Sequence, residues 1–220
     1  MSIIKLLKEN KVLKKFFSFF FKINPKLYWK YLSSGSKNYK FTEFPYDENF
    51  RSFFNEKKIK SIFEIGCGYG DRLFFLRNLN ISELYGIDIN KSRINKGIKI
   101  LKDKKINKIK LGHSDVLNDN IFKDKKFDFI ISSMTLIYFN HQEIRNFFFQ
   151  YKNRVFNGFI LQEFHSNQTI SEDTFYVHNF NKIFKDAKLN NNFEINFKKI
   201  KYSAWGKKKA KPFQIEILKK

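Results

Sequence analysis

The residues best suited to chemistry lie in Phe63-Glu64-Ile65-Gly66-Cys67-Gly68-Tyr69-Gly70-Asp71. This stretch joins an apolar run to a segment of helical length. Its alternate glycines allow a sharp turn and let the main chain approach a ligand where a side chain would collide. The next apolar run ends at Asp88, in Tyr85-Gly86-Ile87-Asp88-Ile89-Asn90. A carboxylate one strand–helix–strand step beyond Glu64 can accept hydrogen bonds from both hydroxyls of a ribose. A dinucleotide fingerprint starting at Gly66 requires Gly or Ala at position 71, where this chain has Asp71, and no Gly-Lys-Ser/Thr follows. The pattern therefore points to an adenosine-bearing ligand held neither as a nicotinamide dinucleotide nor in a P-loop.

The elements that must position these residues are legible from residue 60 onward. Apolar runs at 60–65, 83–88, 108–112, 127–132 and 159–164 alternate with Lys-rich segments of helical length at 71–78, 91–104, 141–154 and 179–188. Such alternation implies βαβ units and a parallel sheet. FEINFKKIKYS and PFQIEIL, flanking GKKKAKP, read as an antiparallel hairpin. The expected fold is α/β: a Rossmann-like, seven-stranded, mostly parallel sheet with helices on both faces and an antiparallel C-terminal hairpin.

In this order, ExGxGxG, the acid at Asp88, Gly112-His113-Ser114-Asp115-Val116, FDFIISSMTLIYF and ILQEFHS resemble the motifs of class I S-adenosylmethionine (SAM)-dependent methyltransferases. The likeness covers roughly residues 60–218. It implies SAM as cofactor, held by Glu64, Gly66, Cys67, Gly68, Gly70, Asp88, Ile89, Asp115, Val116 and Ser132. It implies methyl transfer by in-line displacement. Tyr138 stands where many small-molecule O-methyltransferases of this fold carry a His after strand four. His165, just past strand five, is a candidate base, and Glu163 is a further candidate near the acceptor.

The [DNS]PP[YF] signature of many amino-group methyltransferases is absent, its place held by Ser132-Ser133-Met134, and the single Cys excludes paired catalytic cysteines. Both features favour a small-molecule, sugar or lipid-linked acceptor, methylated on oxygen. The segment PKLYW…SGS…Y is loosely similar to uncharacterised methyltransferases associated with surface-polysaccharide synthesis. An RNA methyltransferase and a non-catalytic SAM-fold binding protein are the alternatives.

The formal net charge is +22, from 43 basic and 21 acidic residues, but six of the 43 are Arg. Bidentate recognition of phosphate and guanine favours Arg. A chain rich in Lys, Asn, Ile and Phe together also follows from A/T-rich codons, so nucleic acid is a possible partner but not the favoured one. Four scattered His and one Cys exclude a disulfide within the chain and make a structural metal site unexpected. His141 and His178 are expected on helices away from the chemistry. Residues 3–23 read as an amphipathic helix with lysines along one side, ended by Asn24-Pro25. It either packs on the domain or contacts an anionic membrane surface. Residues 1–50 are expected to form a helical cap on a SAM-binding domain at 51–220. With no secretory leader or spanning segment visible, the expected location is cytoplasmic, with peripheral membrane contact as the variant.

Overall fold

The computed structural model describes residues 25–31, 39–44, 47–119, 121–171, 175–200 and 211–220. The helix expected over 3–23 and the Ser33–Ser36 turn fall outside the described residues.

The apolar runs become strands whose two faces are both covered. β1 (Ser61–Ile65) is buried at all five positions, as a central parallel strand must be. It sends Ile62 into one core and Phe63 and Ile65 into the other, the period-two alternation of a strand. The chain adds β2 (Glu83–Asp88), β3 (Ile109–His113), β4 (Phe127–Ser133) and β5 (Val155–His165). A two-residue ribbon, β6 (Ile170–Ser171) with β7 (Tyr176–Val177), precedes β8 (Phe193–Lys199) and β9 (Lys211–Lys219).

The main sheet has the order β3-β2-β1-β4-β5-β9-β8. β1 to β5 run parallel, while β9 is antiparallel to both β5 and β8. This is the expected seven-stranded Rossmann-like sheet. Strand order reverses between β1 and β4, the switch point beyond which open α/β sheets bind ligands. Ile65 lies opposite both Ile87 and Ser132, so the carboxyl ends of β1, β2 and β4 finish level.

Six helices are described: α1 (Pro25–Tyr31), α2 (Asp47–Phe54), α3 (Asp71–Leu76), α4 (Lys91–Asp103), α5 (His141–Tyr151) and α6 (Phe180–Asp186). Pro25 opens α1, a position where its missing N–H costs nothing. α4 begins at Asn90, whose side chain accepts from the Arg93 N–H. α5 begins with a reciprocal capping box between Asn140 and Glu143. α2, α3 and α4 cover one face through Phe50, Phe54, Leu73, Leu76, Ile94 and Leu101. α5 and α6 cover the other through Ile144, Phe147, Phe148, Tyr151, Phe180 and Phe184.

The largest fully buried side chains are all Phe and Tyr. The aromatic surplus is thus core material, each ring worth about 1.5–3 kcal/mol on burial. α2 runs through position 50/51, where the sequence placed the boundary of the cap. The segment near 117–124 forms only a 3-10 turn at Val116–Asn118. His178 sits not on a helix but in a bridge to His165, fully buried, its Nε2 3.2 Å from the Leu136 carbonyl oxygen.

Candidate active site

The loop after β1 is built by left-handed glycines: Gly66 (φ +68°), Gly68 (φ +59°) and Gly70 (φ +86°). Each has its own reason. A Cβ on Gly66 would stand 2.1 Å from Thr135 Oγ1, so the turn after β4 presses on it directly. A Cβ on Gly68 would meet nothing nearer than Arg93 Nη1 at 4.0 Å, so this glycine leaves space open above the loop. Gly70 supplies the left-handed N-cap of α3.

Asp88 ties the loop to β2. Its Oδ2 accepts from the Gly68 N–H at 2.9 Å and its Oδ1 from the Asn90 N–H at 2.8 Å. Burial pushes the Asp88 carboxyl upward, opposed by those two N–H groups and then by Arg93 and His113. Beneath the loop, Arg72 donates to Glu64 and, at 2.7 Å, to Asp47. All three side chains are buried. Burial pushes Glu64 up to about 7, with Arg72 opposing. Asp71, the residue that argues against a dinucleotide fingerprint, accepts from the Tyr39 hydroxyl and from the Thr42 N–H at 2.7 Å. It fastens residues 39–42 to the glycine loop. Burial raises the Cys67 thiol well above its ordinary value, leaving it a poor nucleophile.

These groups line a cavity of about 430 Å³ beyond the strand ends. Glu64, Gly66, Cys67, Gly68, Asp88, Ile89, Asp115 and Val116 border it, as does Tyr138. Asp115 also caps the turn at Val116–Asn118, accepting from the Leu117 N–H at 3.1 Å. Gly70, Ser132 and His165 are not among the lining residues. Ser132 is fully buried and donates to Glu163 at 2.8 Å. His165 packs among Phe180, Phe197 and Phe213, and its Nδ1 accepts from the Phe180 N–H. Burial lowers its pKa. The neighbouring strands and α6 thus engage this ring, and none of the four histidines lines the cavity.

Glu163 Oε1 accepts from Ser132 Oγ and from the N–H groups of Thr135 and Leu136, both at 3.1 Å. It anchors the turn that carries Tyr138. Burial raises Glu163 to about 7 and raises Tyr138 beyond the ordinary phenol range. The groups that close the cavity from above, Lys26, Trp29 and Tyr39, come from the segment that the sequence reading expected as a cap. α1 lies over it with Lys26 paired to Glu143 and the Trp29 carbonyl accepting from Asn90 Nδ2 at 2.6 Å. The Trp29 ring meets Tyr138 at 5.4 Å between centroids, and Tyr39 stacks on Tyr69 at 3.9 Å. The aromatic run in PKLYW was the available signal.

A family model described as a methyltransferase domain matches residues 62–157, which span β1 through the start of β5. Over those residues the chain is similar to a methyltransferase domain, and its fold is that of SAM-dependent methyltransferases. No curated protein matches it. Among solved structures, this chain is similar to a SAM-dependent methyltransferase of Leishmania major (TM-score 0.68, 13% identity, 90% of this chain and 83% of that one). It is similar also to magnesium protoporphyrin IX methyltransferase from Synechocystis with bound SAM (0.60, 16%, 88% and 89%). A third is a glycopeptide N-methyltransferase complexed with SAM (0.60, 11%, 80% and 93%). At these identities the likeness is one of fold.

SAM is the cofactor of such an enzyme, and the residues present fit it. Asp88 keeps lone pairs for a ribose beside its two backbone bonds, and Gly68 leaves room where a Cβ would intrude. Among the described residues no cluster suits a metal ion, and no helix is long and apolar enough to cross a membrane.

Proposed function

We propose that this methyltransferase methylates an oxygen atom of a small molecule enclosed between the glycine loop and α1. The observation that carries the proposal is the roof: Trp29 on α1 packs on Tyr138, over a cavity edged by Tyr39, Tyr69 and Phe139. A roofed, aromatic pocket of this size suits a compact acceptor better than a nucleic-acid strand. The magnesium protoporphyrin and glycopeptide enzymes of the same fold are named for non-nucleic-acid acceptors.

Bound SAM supplies an electrophilic methyl group on a sulfonium. Asp88 would accept the ribose hydroxyls, Gly66 and Gly68 would give the main chain close approach, and Glu64 keeps the loop in register through Arg72. Ile89, Asp115 and Val116, which line the cavity, would hold the adenine. Cys67 and Gly70 complete the turn, while Ser132 acts through Glu163 on the turn that presents Tyr138. What these residues contribute is alignment, worth up to ~7–11 kcal/mol of barrier when attack geometry is good.

Tyr138 stays protonated, so it orients the acceptor by hydrogen bonding rather than removing its proton. With no imidazole on the cavity wall, the acceptor oxygen is one that ionises without a base, a carboxyl or a phenol acidified by its ring substituents. The reading of residues 1–50 as a cap is supported, at α1, by the Lys26–Glu143 pair and by the hydrogen bond from Asn90 to the Trp29 carbonyl.

The test is transfer of labelled methyl from SAM to a panel of phenols, carboxylic acids, a sugar, a lipid-linked sugar, amines and transfer RNA. Label in the oxygen acceptors is expected. Label confined to amines or to RNA would overturn the proposal.

A further inference from the structure

Three cations border the cavity, and two have carboxylate partners: Lys26 pairs with Glu143, and Arg72 with Asp47 and Glu64. Arg93 differs. Among the described residues no carboxylate lies within ion-pairing distance of it, and its Nε is buried with no hydrogen-bond partner. The acid that feels it most directly on this side, Asp88, already receives the Gly68 and Asn90 N–H groups.

The guanidinium is nevertheless held in place. It lies 5.0 Å from the Trp29 ring centroid and 5.3 Å from that of Tyr69. Two aromatic faces restrict such a plate while leaving edge donors free. Those donors face the open space over Gly68, since Nη1 is the nearest atom to a Cβ built there. A part-buried cation with no carboxylate partner among the described residues is costly, and a carboxylate or phosphate is the group its planar fork fits. The rings around it belong to the roof, Trp29 from α1 with Tyr138 against it. Its field also reaches Tyr39 and Tyr138.

We infer that Arg93 is an anion subsite for the methyl acceptor: the enzyme selects acceptors bearing a carboxylate or phosphate on a flat, apolar body. This rests on the acceptor reading above. Trp29 links the subsite to the roof, because the same residue flanks Arg93 and offers its carbonyl to Asn90.

The test uses the full chain loaded with S-adenosylhomocysteine, titrated calorimetrically with 4-hydroxybenzoate, 4-hydroxyphenyl phosphate and the neutral 4-hydroxybenzamide. At least one anionic probe is expected to bind about tenfold or more tighter than the amide, the scale of a charge-assisted hydrogen bond. The tighter of the two anions separates carboxylate from phosphate. R93Q should abolish the preference while leaving S-adenosylhomocysteine binding within about twofold, and R93K should keep part of it. Melting curves of both variants establish that they fold, and R93K carries the test if R93Q does not. Equal binding of all three probes, binding of none, or a preference that survives R93Q would overturn the inference. So would loss of S-adenosylhomocysteine affinity in R93Q with methylthioadenosine affinity intact, which would assign Arg93 to the cofactor's own carboxylate. If wild type binds no S-adenosylhomocysteine, the cofactor reading fails instead, and the anion preference is read in the unliganded protein.

Discussion

Replacing Glu163 by Gln isolates one buried carboxyl whose burial opposes its charge. Oε1 receives Ser132 Oγ and the N–H groups of Thr135 and Leu136, while Oε2 is buried with no partner. Burial raises the folded-state value from 4.5 to about 7. Between those two values the folded protein holds a proton that the unfolded chain releases. The contribution of Glu163 to stability is therefore full below pH ~4.5 and lost as pH rises to ~7. At about 1.36 kcal/mol per pH unit, the loss between pH 5 and pH 8 is roughly 2–3 kcal/mol. E163Q keeps the amide oxygen for the three donors and carries no titration. Urea unfolding of both proteins at pH 5 and pH 8 measures the difference, and the other acids, common to both, cancel. Wild type is expected to lose roughly 2–3 kcal/mol more than E163Q across that interval. Identical pH dependence in the two would refute the assignment of a raised pKa to this carboxyl.

Asp88→Ala removes the proposed ribose acceptor and the anchor of the glycine loop, so S-adenosylhomocysteine affinity should fall by about 1.5–3 kcal/mol. Calorimetry on a folded D88A protein checks this, and unchanged affinity would reduce Asp88 to a loop brace. Trp29→Ala removes the ring between Arg93 and Tyr138 and should leave cofactor affinity nearly intact. Methyl transfer to the acceptor found by the label screen should drop roughly 10²-fold, the cost of a misplacement of about 1 Å; full activity would exclude a role for the roof.

The sheet was readable because its strands are short apolar runs with covered faces. β2 matches its run at both ends, since Leu84 to Ile87 are all buried. The turn at Gly66–Gly70 and the acid at Asp88 were readable because their chemistry is local. What escaped was held by distant partners. Asp71 signalled only the lack of a dinucleotide site, whereas its hydrogen bonds reach Tyr39 and Thr42. α2 shows no long periodicity in eight residues, and the two-residue strands of β6 and β7 are too short to pattern. His165 carried the right residue type at the end of β5, but α6 and the β8–β9 hairpin enclose its ring away from the cavity. Arg93 carries no local signal on its Lys-rich helix, because Trp29, which lies over its guanidinium, is distant in sequence.

The central claim is that the glycine loop and Asp88 form a SAM site and not a nicotinamide site. Calorimetric titration of the full chain with S-adenosylhomocysteine, and separately with NAD, tests it most directly. Binding of S-adenosylhomocysteine with a Kd on the order of micromolar, ~8 kcal/mol, and no heat from NAD is the expected result. Tight NAD binding with no response to S-adenosylhomocysteine would contradict it.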